Sequence, residues 1–528
     1  MLSKKLYRLL VVLIILGLVL TACGTSVQGT VTQTTAPAQS EIKRGGRLVF
    51  ARQSIPINLD PVWTDSNYDI WLMQNIYEPL VRVNINGTGI EPALAVSWDI
   101  SEDGKVYTFH LRPNVKFHDG STLTASDVVW SLMRAANPDS GVWNWTLEIM
   151  EKAEAVDVST VAITLKAPQA DFMSLLAMFN ASILPQKLVE QKGEKEFFML
   201  PIGTGPFKVA EYVVADHILY EKNSNYWDLG KDGKPLPYLD SVLVKQVPEG
   251  STRLLQVQSG DVDVTDEIPF SRIEDLNKDP NLSMNLIIST QSYYGWINHN
   301  NPPFDDVNVR LAMNYAIDRN ALVKTVLFGN GQPATSFRPM SGVCFNASLE
   351  GFPYNLEKAK QLIAESKYPD GYKNVLVTIA SGDTLTRDVG TVLKEMWAKI
   401  GIDIQLQEME TGAWYAEYDE DQFSMQLGGW TDDILDAQQQ SEYMAVSPAG
   451  RTGWVNDRVH SLAESAAIEL DITKRCAMYE EIQKIFNDEA VEILLFSTPF
   501  RDLLRKDVQG FNQISLGWFI LRETWVNR

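Results

Sequence analysis

One stretch of this 528-residue chain gathers residue types that recognise charge: Gly428-Gly429-Trp430-Thr431-Asp432-Asp433-Ile434-Leu435-Asp436. Two glycines let a backbone approach a bound molecule closely. The tryptophan offers a flat face, and three carboxylates follow it. A carboxylate buried here needs a cationic partner, and the ammonium group of a ligand would serve. The same residues also suit an acidic helix start, where Asp side chains accept from free backbone N–H groups. On the residues alone the two readings stand level.

Patterns for catalysis are missing elsewhere. There is no G-x-S-x-G elbow, no phosphate loop and no H-E-x-x-H. Gly203-Thr204-Gly205-Pro206 leads into a strand and not into a helix, so it is no dinucleotide fingerprint. Asp99–Gly104 begins like a calcium loop, but the twelfth position is His110 where a carboxylate is needed; it reads as a turn, with Gly104 supplying the positive φ. His110, His118, His217, His299 and His460 include no i, i+4 pair, so no local metal site or cofactor is expected. The 67 acidic residues are too many for any pair of them to be specific. Most of the 14 tryptophans belong in the core, with a few left for cleft walls.

The formal net charge is -21. Phosphate contacts need Lys and Arg patches, so nucleic acid is excluded as a partner. The start of the chain carries the basic residues Lys4, Lys5 and Arg8, then an apolar run from Leu9 to Leu20, then Leu20-Thr21-Ala22-Cys23. This is the layout of a secretory signal, and the run is shorter than the roughly 20 residues of a comfortable membrane span. The ending resembles a bacterial lipobox, which implies cleavage before Cys23 and its lipidation. Gly24 to about Ser40 lacks large apolar residues and reads as a flexible spacer. Cys344 and Cys476 are read as separately buried thiols, although an exported chain can pair them.

The elements that must hold the acidic stretch alternate between strand and helix. Tyr107, Phe109 and Leu111 alternate with polar residues, as do Val161, Ile163 and Leu165, marking half-buried strands. Thr124–Asp127 forms a capping box for a helix over 128–136. Helices are predicted over 307–317, after Asp318 up to Gly329, over 356–366 and over 475–486. Strand 375–380, helix 387–400, the stop at Gly401 and strand 402–407 suggest a parallel crossover unit. A short strand over 423–427 precedes the acidic stretch. The fold class is α/β with two lobes, whose ligands lie between lobes or at strand ends.

In order along the chain, these segments resemble the bacterial extracellular solute-binding proteins of family 5, the peptide, dipeptide and nickel type. Trp98, Val106–Arg112 and Lys116–Gly120 carry the likeness, followed by Gly205-Pro206-Phe207, Asn225-Tyr226-Trp227 and Ser259–Asp263. Asn298, Pro303-Phe304-Asp305, Val309–Arg319, 356–371 and 387–406 complete it. The resemblance implies a periplasmic-binding-protein-like fold of type II with a hinge between lobes and an extra inserted subdomain. Its parts would be a signal peptide 1–22, a lipidated linker 23–44, a first lobe 45–84 with 198–290 and 497–528, an inserted subdomain 85–197, and a second lobe 291–496. It implies no enzyme. It implies a monomeric lipoprotein, held on the outer face of the cytoplasmic membrane by Cys23, which captures short peptides and passes them to an ABC permease. By the same resemblance Asp433 holds the peptide ammonium and Trp430 lines the cleft. Tyr294 lies near the peptide backbone, and Ser54 to Asn58 offer a strand edge for β-augmentation. Relatives often continue Asp-Pro where this chain has Asp436-Ala437. An oligosaccharide binder with Asp433 in a structural role is the alternative, a metal-chelate binder comes third, and a secreted hydrolase is a distant fourth.

Overall fold

Period-two burial sets the strands. In Val106–Leu111 the side chains of Tyr107, Phe109 and Leu111 are buried while Thr108 and His110 are more open. The computed structural model describes residues 41–528, apart from Asp65 and residues 447–451. Cys23, the signal segment and most of the spacer lie outside them. Lys43–Arg528 pack as one unit.

Three sheets carry the architecture. The largest has seven strands, in the order Leu282–Ile287, Phe500–Arg505, Val264–Thr265, Arg47–Arg52, Ser241–Gln246, His217–Lys222 and Phe207–Val213. A six-stranded sheet runs Gln332–Pro333, Ile493–Ser497, Ser292–Ile297, Met425–Trp430, Tyr372–Ala380 and Ile402–Met409. A four-stranded antiparallel sheet holds Ala95–Ile100, Val106–Leu111, Thr160–Leu165 and Met150–Asp157. The first and second sheets build the two lobes, and the third lies in the segment inserted between strands of the first. The chain crosses between the lobes through residues 288–291 and 498–499. These links are bonded to each other: Thr498 N–H donates to the Gln291 carbonyl at 3.1 Å, and Thr498 Oγ1 donates to Gln291 Oε1 at 2.7 Å. Two short neighbouring links are the form a hinge takes.

The crossover unit shows how local signals become architecture. Tyr372–Ala380 and Ile402–Met409 pair in parallel, with helix Thr384–Ala398 between them. The helix starts three residues before the predicted position, because the Asp383 side chain accepts from Thr386 N–H. Gly401, at φ +81°, lets the chain reverse into the next strand. Trp397 anchors the helix, fully buried, with Nε1 donating to the Met313 carbonyl at 3.0 Å. The capping box at Thr124 and Asp127 is present as read.

Two sequence expectations need correction. The strand placed at 423–427 runs instead over Met425–Trp430. Gly428 and Gly429 are therefore part of a ladder, opposite Tyr294 and Tyr293. A Cβ on Gly428 would meet the Trp296 ring at 2.3 Å, so the glycine is needed by aromatic packing beneath it. Cys344 and Cys476 are not separate thiols: they form a disulfide, with Cα atoms 4.7 Å apart across 132 residues of chain. Helix Ile472–Asp488 packs beside the loop carrying Cys344, where Gln483 Nε2 donates to the Cys344 carbonyl at 2.7 Å. Separation along the chain carries no information about that contact.

Candidate functional site

The strand Met425–Trp430 delivers the acidic stretch to the space between the lobes. A cavity of 260 Å³ lies there, with Asn67, Ile70 and Trp143 on the first-lobe side and Trp414, Trp430 and Asp433 on the other. A larger cavity of 720 Å³ adjoins it and shares Trp430 and Tyr443 with it. A third, of 460 Å³, reaches toward the hinge and is lined by Tyr68, Glu267, Tyr293 and Arg501. Tyr293 packs beside Gly429, which borders the first cavity.

The three carboxylates of the stretch have different fates. Asp432 lies 3.4 Å from Arg338 Nη2 and accepts from Trp430 Nε1 at 3.0 Å. Burial still pushes its carboxyl up to about 6. Asp436 accepts from Arg475 through both oxygens, at 2.5 and 2.8 Å. It also accepts from Gln438 N–H at 2.8 Å, at the start of the short helix Gln438–Ser441. Asp433 has no cation among the described residues. Its Oδ2 accepts from Gln439 Nε2 at 2.8 Å, and its N–H donates to Gln439 Oε1 at 3.0 Å. Burial, with Asp432 adding to it, pushes the Asp433 carboxyl up to about 7. Of the two readings left open by the sequence, the helix start belongs to Asp436. Asp433 faces the cavity with its charge unmatched.

Trp430 is half-buried and stacks on Tyr443, ring centroids 4.3 Å apart at 24°. Its indole N–H holds Asp432, so the ring is fixed in place before any ligand arrives. Tyr294 is placed differently from the expectation. It is fully buried, with its hydroxyl donating to the Phe337 carbonyl and accepting from Gln440 Nε2. Neighbouring side chains on a strand point to opposite faces, and the pairing with Ile493–Ser497 shifts register between Tyr293 and Tyr294. It is Tyr293 that opens on the cleft. Ser54 to Asn58 form no strand. The N–H groups of Ile57 and Asn58 already donate to the Asp69 carboxylate at 3.0 and 3.2 Å, and Ser54 Oγ donates to the Ile55 carbonyl. An edge whose donors are taken is a poor template for an added strand, and Asn58 lines a separate cavity with Trp63.

Gln439, Arg338 and Arg475 are not among the site residues expected from sequence. Isolated glutamines and arginines have no spacing that marks them. Gln438-Gln439-Gln440, directly after the acidic stretch, was the one available signal. The inserted segment also reaches the second lobe. Ala170 N–H donates to the Ala467 carbonyl at 2.8 Å. Asp171, beside it, has its carboxyl pushed up to about 7 by burial and by Asp436, with Arg475 opposing.

Comparison with known proteins bears on the family and the fold. Residues 89–450 match the family described as bacterial extracellular solute-binding proteins, family 5. The chain is 30% identical to heme-binding protein A of Haemophilus influenzae, over 95% of this chain and 96% of that one. It is 28% identical to the dipeptide-binding protein of Escherichia coli K12, over 89% and 92%. Among solved structures it resembles the ABC transporter-associated periplasmic binding protein DppA of Helicobacter pylori in complex with the peptide STSA. That likeness has a TM-score of 0.79 and 29% identity over 92% of this chain and 99% of that one.

Proposed function

The chain belongs to the bacterial extracellular solute-binding proteins of family 5, which are binding proteins and not enzymes, and from that premise we propose that it captures short peptides with a free amino terminus for an ABC importer. The observation that carries the reading is the unmatched charge of Asp433. Two acids of the stretch, Asp432 and Asp436, have arginines of their own. The third opens on an interlobe cavity walled by aromatic rings. A peptide ammonium supplies the missing cation, and closing the lobes around it strengthens the pair by excluding water. The relatives named for dipeptides and the structure holding the peptide STSA support the same class. The stacked Trp430 and Tyr443 favour one second reading, a sugar lying flat on the rings.

Titration calorimetry with free and N-acetylated peptides across pH separates the two. An empty site with a carboxyl near 7 is protonated at acid pH, whereas the bound ammonium requires the carboxylate. Binding then releases a proton below pH 7, and affinity falls by up to about tenfold per pH unit there. Above about pH 8 the peptide amine loses its own proton. The expected result is strongest binding between these limits. Acetylated peptides bind weakly and show no acid limb. Equal binding of free and acetylated peptides would sink the peptide reading and raise the sugar.

We also propose that Cys23 carries a lipid anchor, on the strength of the Leu20–Cys23 ending. Cys23→Ser is expected to move the protein from the membrane pellet to the soluble fraction. A variant that still pellets and is cut at the same site would refute this.

A further inference from the structure

We infer that the 720 Å³ cavity is a second compartment of the same site, that it takes a bulky aromatic or aliphatic side chain on the ligand's first residue, and that Trp145 of the inserted segment sets that preference. The inference rests on the peptide reading above.

Continuity comes first. Trp430 and Tyr443 wall both this cavity and the one holding Asp433. Gln439, whose amide grips the Asp433 carboxylate, lines the larger one. On the opposite wall Trp143 borders the ammonium cavity and Trp145 borders the larger one, their rings 6.1 Å apart. A ligand with its amino group on Asp433 therefore has its first side chain at the mouth of the larger space.

The chemistry of the walls comes second. Ile149 and Leu175 from the inserted segment face Ile434, Trp430 and Tyr443 from the second lobe. Trp145 is left 46% exposed at this opening. A large ring that stays in water beside these apolar walls marks a surface waiting to be covered. The charged groups lining the cavity are Glu148, Asp171, Glu442 and Lys166. Lys166 Nζ already donates to the Glu148 carbonyl at 2.6 Å. An acidic ligand side chain would meet three carboxyl groups against a single cation, one of whose donors is already spent on that carbonyl. An apolar side chain meets rings and branched aliphatics. The same walls come from both lobes, so a side chain that fills them also rewards closure.

The test is calorimetry on the disulfide-bonded protein with Phe-Ala, Gly-Ala, Asp-Ala and Ala-Phe. Wild type is expected to bind Phe-Ala at least about tenfold tighter than Gly-Ala and Asp-Ala weakest of all. Trp145→Ala should bring the Phe-Ala to Gly-Ala ratio close to one, and Trp145→Phe should keep most of it. Trp63→Ala is the control: that ring is equally exposed, at 46%, but lines a different cavity, and its loss should leave both affinities unchanged. Asp433→Asn should weaken every peptide while leaving the ratio intact. A wild type without preference, a ratio that survives Trp145→Ala, or a preference for Ala-Phe instead would overturn the assignment. Failure of all four peptides to bind would overturn it together with the peptide reading.

Discussion

Asp433→Asn is expected to weaken the binding of free-amino peptides by on the order of a hundredfold, about 3 kcal/mol at 1.4 kcal/mol per decade. The substitution preserves size and removes charge. Asn can still exchange hydrogen bonds with Gln439, so the loop keeps its shape. What is lost is the partner of a desolvated ammonium, and breaking a buried pair strands the remaining charge. Stability without ligand should move the other way. A carboxyl near 7 in the fold and near 3.9 in the unfolded chain holds an extra proton only when folded. Stability from that group is therefore present at low pH and falls as pH rises through 4 to 7. Asn removes this fall, so ligand-free Asp433→Asn should melt at or above wild type at pH 8. Calorimetry and melting together decide: a variant that binds as well as wild type, or that unfolds at pH 8, removes Asp433 from the ammonium site.

Arg475→Met should produce the largest loss of stability, about 3 to 5 kcal/mol at pH 8. The guanidinium lies between Asp436 and the carbonyl of Ala466, with only 4% of its side chain exposed. Asp171 faces the same charge from the inserted segment. Methionine keeps much of the volume and leaves two buried carboxylates without a cation. Asp171, already pushed up to about 7 by burial and Asp436, then loses the cation that opposes the rise, so the fold holds a proton that the unfolded chain does not. The penalty must shrink as pH falls toward 5, because protonation removes the stranded charges. Denaturant titrations at pH 8 and pH 5 test this. A loss below about 1 kcal/mol, or one of equal size at both pH values, would show that Arg475 does not neutralise the pair. Peptide affinity should drop as well, since Asp436 starts the helix that presents Gln439 to Asp433.

The elements that sequence rendered legible are those with local causes. The helix Thr384–Ala398 and its stop at Gly401 follow from a cap, an apolar stripe and a glycine with positive φ. The alternating strands of the four-stranded sheet follow from period-two burial. Within the site, the segment bearing Trp430 and Asp433 was legible as a charge-recognising stretch, but the sorting of its three acids was not. That sorting depends on Arg338 and Arg475, which reach it from 94 and 39 residues away. Tyr293 and Tyr294 are strand neighbours facing opposite sides, and the residue on the cleft side is Tyr293. The hydrogen bonds that silence Ile57 and Asn58 come from Asp69, whose proximity no periodicity reveals. Side-chain contacts from elsewhere in the chain account for the sorting of the acids and for the occupied donors of Ile57 and Asn58.

Cys476 is the residue after Arg475, and its bond to Cys344 ties the arginine's helix to the loop behind it. In a reducing compartment the same positions carry two free thiols, and only noncovalent contacts, polar and apolar, hold that loop. Oxidation fastens to its neighbour the helix whose Arg475 holds Asp436. Leaving the cytosol is thus an assembly step as well as a change of address. A copy still in the reducing cytosol lacks the covalent tie between the helix of Arg475 and the Cys344 loop.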